Sequence, residues 1–448
     1  CIITIPLYMG FYLEIRKNRN YLREVEEGYG VEYPGYDDDA AKKAEAKLYS
    51  SLLFGASRYD DSGSQSPLII HDALGIAKGI ELRDGVAIDP ETRTAEDGAK
   101  FDIQLLSAGS TFKLQFELLI SKNDNEEELL KALTTTLQGL EEGQITLGAR
   151  KRRGYGECKV ENWTVQQYKL EEKKDLLAWL SNERSWKTES TTEAKNGESI
   201  KELLGSELVK DAREYLHLKA IFGIEGTLLI RSGSNTVDAA PDSVHMHARH
   251  KSGGAVPVIP GTSWAGVLRH RALKIAHTVS DYDKKLSQKF IDNLFGPSET
   301  EDKKDVRASR VTFKETEIKK SEALVITRVK IDRFTGGAYE GALFSEQPTI
   351  GTDETEVTLD LYLRTPKEAD AGLILLLLKD LWTGDLPIGG QSGVGRGRLK
   401  GKRATLTGKL GKWNFKADGE KVIVSPETNE LEKYVKAFNT ALNNGGVA

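Results

Sequence analysis

The sequence predicts an α+β protein built from two tandem copies of one βαββαβ domain. Three observations predict it. Val86, Ile88, Asp89, Thr92, Ala95, Ala99 and Phe101 return as Val329, Ile331, Asp332, Thr335, Ala338, Ala342 and Phe344, each 243 residues later. Leu53-Phe54-Gly55 returns as Leu294-Phe295-Gly296, and Gly148, Gly154 and Gly156 return as Gly389, Gly395 and Gly397, each 241 residues later. Several unlike motifs in one order and at one spacing mean a duplicated domain. The third observation is that apolar periodicity runs strand, helix, strands, helix, strand in both copies.

In the first copy, residues 2–16 are rich in Ile, Leu, Tyr and Phe and read as a strand. Residues 40–53 hold helix formers and stop at Gly55. Residues 68–70, 101–106 and 112–120 read as strands, 126–140 as an amphipathic helix, and 145–163 as a glycine-punctuated strand pair. In the second copy, strands are expected at 220–231, 309–313, 323–331, 356–363 and 399–407, and helices at 262–277, ending at 295, and 369–381. The order matches the ferredoxin-like (RRM-like) split β-α-β unit, with a hairpin inserted around each V-x-I-D-x-x-T segment. The expected domains are therefore residues 1–168, a Lys/Glu/Ser/Thr-rich linker at 169–215, residues 216–415, and a polar tail at 416–448 with one helix at 430–442.

At 448 residues the chain is long enough for two cores. Its apolar run at 373–378 is too short to span a bilayer, so no membrane partner is expected. Two cysteines, Cys1 and Cys158, exclude a disulfide framework and suit a reducing cytoplasm. The first residue is Cys1 rather than Met, so an incomplete N-terminus is expected. The net charge is −5, yet basic residues gather at the glycine motifs while acids sit elsewhere. Segregated charge focuses a field even when the sum is negative.

The glycine motifs read G-A-R-K-R-R-G-Y-G at 148–156 and G-G-Q-S-G-V-G-R-G-R at 389–398. Glycine lets backbone N–H groups approach a phosphate, and flanking Arg and Lys add charge. The candidates are Gly148, Arg150, Lys151, Arg152, Arg153, Gly154 and Gly156, then Gly389, Gly390, Gln391, Ser392, Gly393, Gly395, Arg396 and Arg398. Two β-hairpins needing positive φ would explain the glycines alone. Neither loop ends in Gly-Lys-Ser/Thr, so neither is a P-loop.

At 259–269 the chain reads I-P-G-T-S-W-A-G-V-L-R. Pro-Gly ends a strand and a helix follows, whose first N–H groups make a phosphate seat at Gly261, Thr262 and Ser263, with Arg269 further along the same helix. The first copy keeps only Tyr33-Pro34-Gly35 followed by Asp37–Asp39, whose charge repels phosphate. Before that helix, residues 232–258 hold Asp238, Asp242, His245, His247, Arg249 and His250, groups suited to proton transfer or metal binding. No zinc is expected without thiols. The first copy's corresponding loop, 16–32, has Glu but no Asp. On the second hairpin, Phe334 and Tyr339 have no counterpart in the first copy and read as base-stacking residues.

At these motifs the chain resembles the RAMP superfamily, RNA-binding proteins of CRISPR systems, and within it the fused, D-like backbone subunits of type III effector complexes. I-P-G-T-S-W-A-G-V-L-R is similar to that family's helix start, G-G-Q-S-G-V-G-R-G-R-L to its glycine loop, and V-K-I-D-R-F-T-G-G-A to its thumb hairpin. The resemblance implies an antiviral ribonucleoprotein in which each domain grips guide RNA and each thumb kinks the guide–target duplex. The thumb residues are Asp89 and Thr92, then Asp332, Phe334, Thr335 and Tyr339. It further implies that an Asp before the Pro-Gly helix assists cleavage of target RNA with Mg²⁺ or Mn²⁺, by attack of a 2′-OH on its adjacent phosphate. That Asp is Asp242, or Asp238 with a longer insertion; Asp242 would also be the metal ligand. Implied partners are guide RNA, target RNA and neighbouring complex subunits. Two rivals stand: a guide-processing ribonuclease with His245 as general base, and an RNA-binding scaffold that does not cut.

Overall fold

The computed structural model describes residues 2–7, 15–29, 48–55, 65–89, 92, 94–181, 193–232, 241–250, 253–297, 307–419, 421–427 and 429–443. The chain divides into two compact units: Cys1–Lys78 with Gly109–Lys151 and Tyr155–Arg213, and Gly79–Ala108 with Arg152–Gly154 and Glu214–Ala448.

The first unit opens with β1 (Ile2–Leu7), α1 (Ile15–Glu27), α2 (Tyr49–Phe54), β2 (Leu68–Ile70) and β3 (Leu74–Ile76). The chain then leaves for a long hairpin, β4 (Ile80–Ile88) and β5 (Ala95–Leu106), that belongs to the second unit. It returns as β6 (Thr111–Leu119), α3 (Glu126–Glu141), β7 (Trp163–Tyr168), α4 (Lys173–Ser181), β8 (Lys195–Gly197) and α5 (Ile200–Leu204). The sheet order is β2-β6-β1-β7-β8, with antiparallel pairs throughout. Along β6, Leu114, Phe116 and Leu118 are buried and the residues between them are not, the period of a half-buried strand. The core receives Leu129, Leu133, Leu137 and Leu140 of α3, spaced to fall on one helical face. Each fully buried leucine contributes about 1.5–3 kcal/mol. Asn125 starts α3 by accepting from the Glu128 amide.

The second unit continues with β9 (Tyr215–Glu225), β10 (Thr227–Leu228), β11 (Arg231–Ser232), β12 (Ser243–His245), β13 (His247–Arg249), β14 (Ala255–Ile259), α6 (Gly261–Val279) and α7 (Lys284–Phe295). Then come β15 (Val311–Phe313), β16 (Thr316–Lys319), β17 (Glu322–Ala323), β18 (Ile326–Ile331), β19 (Ala338–Gln347), β20 (Thr349–Ile350) and β21 (Glu356–Arg364). The unit closes with α8 (Glu368–Trp382), β22 (Arg398–Gly408), β23 (Gly411–Asp418), β24 (Lys421–Ser425) and α9 (Glu430–Asn443). Its main sheet runs β13-β14-β16-β21-β9-β22-β23-β24, and a separate small sheet runs β11-β12-β19-β18. Val357, Leu359, Leu361 and Leu363 of β21 alternate inward beside Leu216, Leu218, Ala220 and Phe222 of β9. Helix α8 is apolar nearly all round because it packs on β22 and on α9. At Gly401 the β22 ladder slips, and any Cβ would stand 1.9 Å from the Trp382 ring, so the close packing there excludes a side chain.

The chain therefore has mixed α+β content dominated by antiparallel strands. Several expectations are corrected. Residues 16–27, expected in a loop, are the helix α1, whose buried Leu22 and Val25 supply the apolar face. The glycine stretch 145–163 is a loop with a 3-10 turn, Lys151–Arg153, rather than a strand pair. Residues 193–213, read as linker, pack on the first unit: Ile200 is fully buried and the Val209 amide donates to Thr135 Oγ1 at 2.9 Å. Beyond the strand expected at 399–407 lie two more, β23 and β24: Trp413 and Phe415 of β23 alternate into the core between exposed Lys and Asn, and β24 falls in the expected tail. Residues 40–47 of the expected first helix, and Tyr33 to Asp39, lie outside the described residues.

Candidate nucleic-acid interface

The two glycine loops share one backbone design. In the first, the Leu147 amide donates to Gly156 O at 2.9 Å; in the second, Ile388 donates to Gly397 O at 2.9 Å. Arg150 (φ 55°) and Gln391 (φ 61°) occupy the same left-handed position before the 3-10 turns Lys151–Arg153 and Ser392–Val394. The closing glycines cannot be replaced. A Cβ on Gly156 would lie 1.7 Å from Leu147 O, and one on Gly397 2.0 Å from Ile388 O. Gly389, Gly390, Gly393 and Gly395 complete the second loop, and the Gly390 amide donates to Leu229 O at 2.8 Å. Gly393 and Gly395 are exposed and Ser392 is half-buried. Gly148, Arg150 and Arg153 are exposed at the first loop, with Lys151, Arg152 and Gly154 half-buried.

The loops differ in what their side chains hold. Arg396, expected on phosphate, is 2 % exposed and lies with Nη1 3.0 Å from Glu346 Oε2. Burial pushes its guanidinium down, and the Glu346 carboxylate works against that shift. Gln391 also turns to Glu346, donating from Nε2 to Oε1. Arg398 stays exposed, with only a loose 3.4 Å pairing to Glu225. In the second unit, Arg152 donates to Ser309 O. The carbonyls of Arg153 and Phe313 would each stand 2.5 Å from a Cβ on Gly261, which explains a glycine at that helix start.

Helix α6 begins at Gly261 after Pro260, which supplies no side-chain cap; the Ser263 amide donates to Pro260 O at 2.9 Å, and Thr262 sits beside it in the first turn. Arg269 does not face outward with them. It donates to Gly296 O at 2.6 Å and to Asp292 Oδ1 at 2.6 Å, joining α6 to α7. Burial pushes the Arg269 guanidinium down.

Both hairpins turn by one mechanism. Asp89 N donates to Thr94 O and Asp332 N to Gly337 O, each at 2.9 Å. Asp89 Oδ1 accepts from the Thr92 amide at 2.6 Å, and Asp332 Oδ1 accepts from the Thr335 amide at 2.8 Å and the Phe334 amide at 2.9 Å. The Thr335 and Phe334 amides hold the Asp332 carboxyl below the usual carboxylate range. These aspartates thus shape turns. A bulge falls at Val86/Ile88 in one hairpin and at Val329/Ile331 in the other. Phe334 is 99 % exposed, and Tyr339, half exposed, lies with Lys330 Nζ 5.0 Å from its ring centroid. Phe101 and Phe344 are part-exposed on the strands rather than in a core.

Of the three residues proposed for proton or metal chemistry, Asp238 lies outside the described residues. Asp242 is exposed at the entrance to β12. Its Oδ2 accepts from the Ser345 amide at 2.7 Å, while Oδ1 accepts from none of the described residues. His245 is 1 % exposed. Its Nδ1 accepts from the Ile230 amide at 3.2 Å and its Nε2–H donates to Val258 O at 3.1 Å, so both ring nitrogens are committed to backbone. Burial pushes it down to about 4. Burial and the engagement of both ring nitrogens argue against His245 as a general base.

Sequence reasoning missed Glu346, the carboxylate that gathers Arg396, Gln391, Arg328 Nε at 3.6 Å and Arg231 Nη2 at 3.8 Å. A signal was present: at the repeat offsets, Glu346 replaces Ile103 and Arg396 replaces Tyr155, so an acid and a base appear together where the first copy has neither.

Fold and site together define a duplicated α+β protein, each copy pairing an antiparallel sheet with a glycine loop and a hairpin. The chain belongs to the RAMP superfamily, whose family model matches residues 14–159 and 227–400, more than half of the chain and one stretch per copy. Proteins of this superfamily are CRISPR-associated and bind CRISPR RNA within complexes. No curated protein matches the chain. Among the described residues no helix is long and apolar enough to cross a membrane, and no group of three or more His, Cys, Asp and Glu is placed to hold a metal ion.

Proposed function

We propose that the chain is a fused backbone subunit of a type III, D-like CRISPR effector complex that binds guide RNA through both copies and cleaves target RNA at the second. The observation that carries this reading is the tie between Asp242 and Ser345, which puts an exposed carboxylate at the base of the second hairpin. The strand orders β2-β6-β1-β7 and β16-β21-β9-β22 support a ferredoxin-like unit in each copy. The glycine loops and the start of α6 at Gly261 and Thr262 supply backbone N–H groups for guide phosphates, with Arg398 adding charge. Phe334 and Tyr339 stack on bases where the duplex is interrupted. Kinking the strand there brings a 2′-oxygen into line with its adjacent phosphorus; the P–O5′ bond breaks, leaving a cyclic phosphate and a 5′-hydroxyl.

One carboxylate with a free Oδ1 fits Mg²⁺ or Mn²⁺, ions that commonly take one or two protein carboxylates and complete their shell with phosphate and water. When bound, such an ion would offset charge on the phosphate. Asp242 would hold it, and Ser345 would hold Asp242. Burial of His245 argues against the guide-processing alternative, whereas the lack of a multi-carboxylate cluster among the described residues favours the scaffold as second reading.

The test is cleavage of labelled target by the complex assembled on guide RNA with Mg²⁺ or Mn²⁺. Asp242→Ala is expected to remove one cut and leave guide and target binding intact. If Asp238→Ala removes it instead, the carboxylate is reassigned; if neither does, the chain is a scaffold.

A further inference from the structure

We infer that Glu346 and Arg396 are positioning residues for Asp242, so that the glycine loop and the carboxylate at the cut are held in one register; this rests on the cleavage reading above. Glu346 sits on β19 with its side chain 2 % exposed. Cations from three elements converge on it: Arg396 from the glycine loop at 3.0 Å, Arg328 from β18 at 3.6 Å and Arg231 from β11 at 3.8 Å, with Gln391 on its other oxygen. The residue before it on the same strand is Ser345, whose amide donates to Asp242 Oδ2 at 2.7 Å. The register repeats the link, since Ser243, next to Asp242, pairs with Glu346 in the parallel β12–β19 ladder.

Neighbouring residues of a strand face opposite ways. Glu346 turns its side chain to the glycine loop, while Ser345 meets Asp242 through its amide at 2.7 Å and its hydroxyl at 3.4 Å. Turning or sliding β19 to release one contact displaces the other. An ion pair is a costly way to hold two elements together, because desolvating both charges offsets much of their attraction. The Arg396 guanidinium and Glu346 Oε2 make no hydrogen bond, so the pair acts through charge and close packing: moving either group away leaves a buried charge without its nearest counter-charge. The first copy provides the comparison. At the repeat positions it has Ile103 and Tyr155, neither of which is an acid or a guanidinium. The buried acid–base pair belongs to the copy that carries Asp242.

The experiment uses the guide-loaded complex with Glu346→Gln, Arg396→Lys and the paired Glu346→Met/Arg396→Met. The paired change removes both of the most deeply buried charges and leaves the more exposed Arg328 and Arg231 to solvent, so it serves if a single change prevents folding. Readouts are amide hydrogen exchange in peptides covering 241–247 and 343–347, cleavage rate at saturating target, and target affinity. The expected result is exchange about tenfold faster in those peptides and cleavage slowed by about 10–100-fold, with target affinity unchanged. Wild-type exchange and cleavage in the paired variant would overturn the inference, as would exchange rising evenly across 307–408. Asp242→Ala separates the two ideas. If it cuts at the wild-type rate, the cleavage reading fails; if it is dead while the paired variant cuts normally, only the positioning role fails.

Discussion

Arg83 Nη2 lies 3.0 Å from Glu315 Oε1, a pairing between the first copy's hairpin and the residue before β16, 232 positions along the chain. Arg83 is 7 % exposed and its Nε also donates to Glu81 Oε1 at 2.9 Å. Burial pulls the guanidinium down, but Glu315 and Glu81 outweigh it and the net shift is upward. A second contact, from the Arg249 amide to Glu81 Oε2 at 3.4 Å, ties the same hairpin to β13. The duplication is thus not two self-contained blocks: one copy's hairpin is part of the other copy's compact unit.

Glu315→Ala should leave Arg83 with Glu81 as its carboxylate and cost about 1–3 kcal/mol. Urea unfolding gives the cost, and limited proteolysis should show earlier cutting within residues 80–106. Unchanged cleavage there would mean that apolar contacts hold the hairpin.

The two arginines of the second glycine loop should separate cleanly. Arg398→Ala removes an exposed charge and should lower the salt slope of RNA binding by about 0.7 at unchanged melting temperature. Arg396→Ala removes the nearest cation from the buried Glu346, leaving Arg328, Arg231 and Gln391, and should cost about 1–3 kcal/mol of stability. Filter binding across a salt series and thermal unfolding of both variants decide this.

Phe334→Ala should leave stability unchanged, because the ring is 99 % exposed. Loss of one stacked base costs about 1–3 kcal/mol. The effect is expected in target cleavage rather than in guide retention, and parallel assays on the assembled complex would reveal the opposite if the ring serves guide binding.

His245 should make stability depend on acid. It is buried neutral with its pKa pushed down to about 4, against an unfolded value near 6.5. The unfolded chain takes up the proton first, so the contribution is fully present above about 6.5 and is lost as pH falls from there towards 4, roughly 3 kcal/mol in total. Unfolding free energies at pH 7.5 and 4.5 should differ less by that amount in His245→Asn, which cannot charge. An equal acid loss in both proteins would assign the effect to other groups.

Much of the architecture was legible because it is repeated or periodic. Helix α3 and strands β6 and β21 follow from local apolar spacing, and the matching hairpins and glycine loops follow from recurrence of Asp89 as Asp332 and Gly156 as Gly397. Weak signals were missed where few residues carry them: α1 is mostly polar, and β23 shows only Trp413 and Phe415.

By itself the sequence determined the duplication, the α+β content, the turn residues and the family motifs, since these are properties of residue type and spacing. Only the tertiary structure decided which charged groups face outward. Arg396, Arg398 and Arg269 look alike as letters, yet Arg396 is buried on Glu346, Arg269 is bonded to Asp292, and Arg398 alone stands exposed. His245 and Asp242 are three residues apart, and one is sealed between the Ile230 amide and the Val258 carbonyl while the other has an oxygen that accepts from none of the described residues. Burial and partner choice depend on elements far apart in the chain, and local spacing does not encode them.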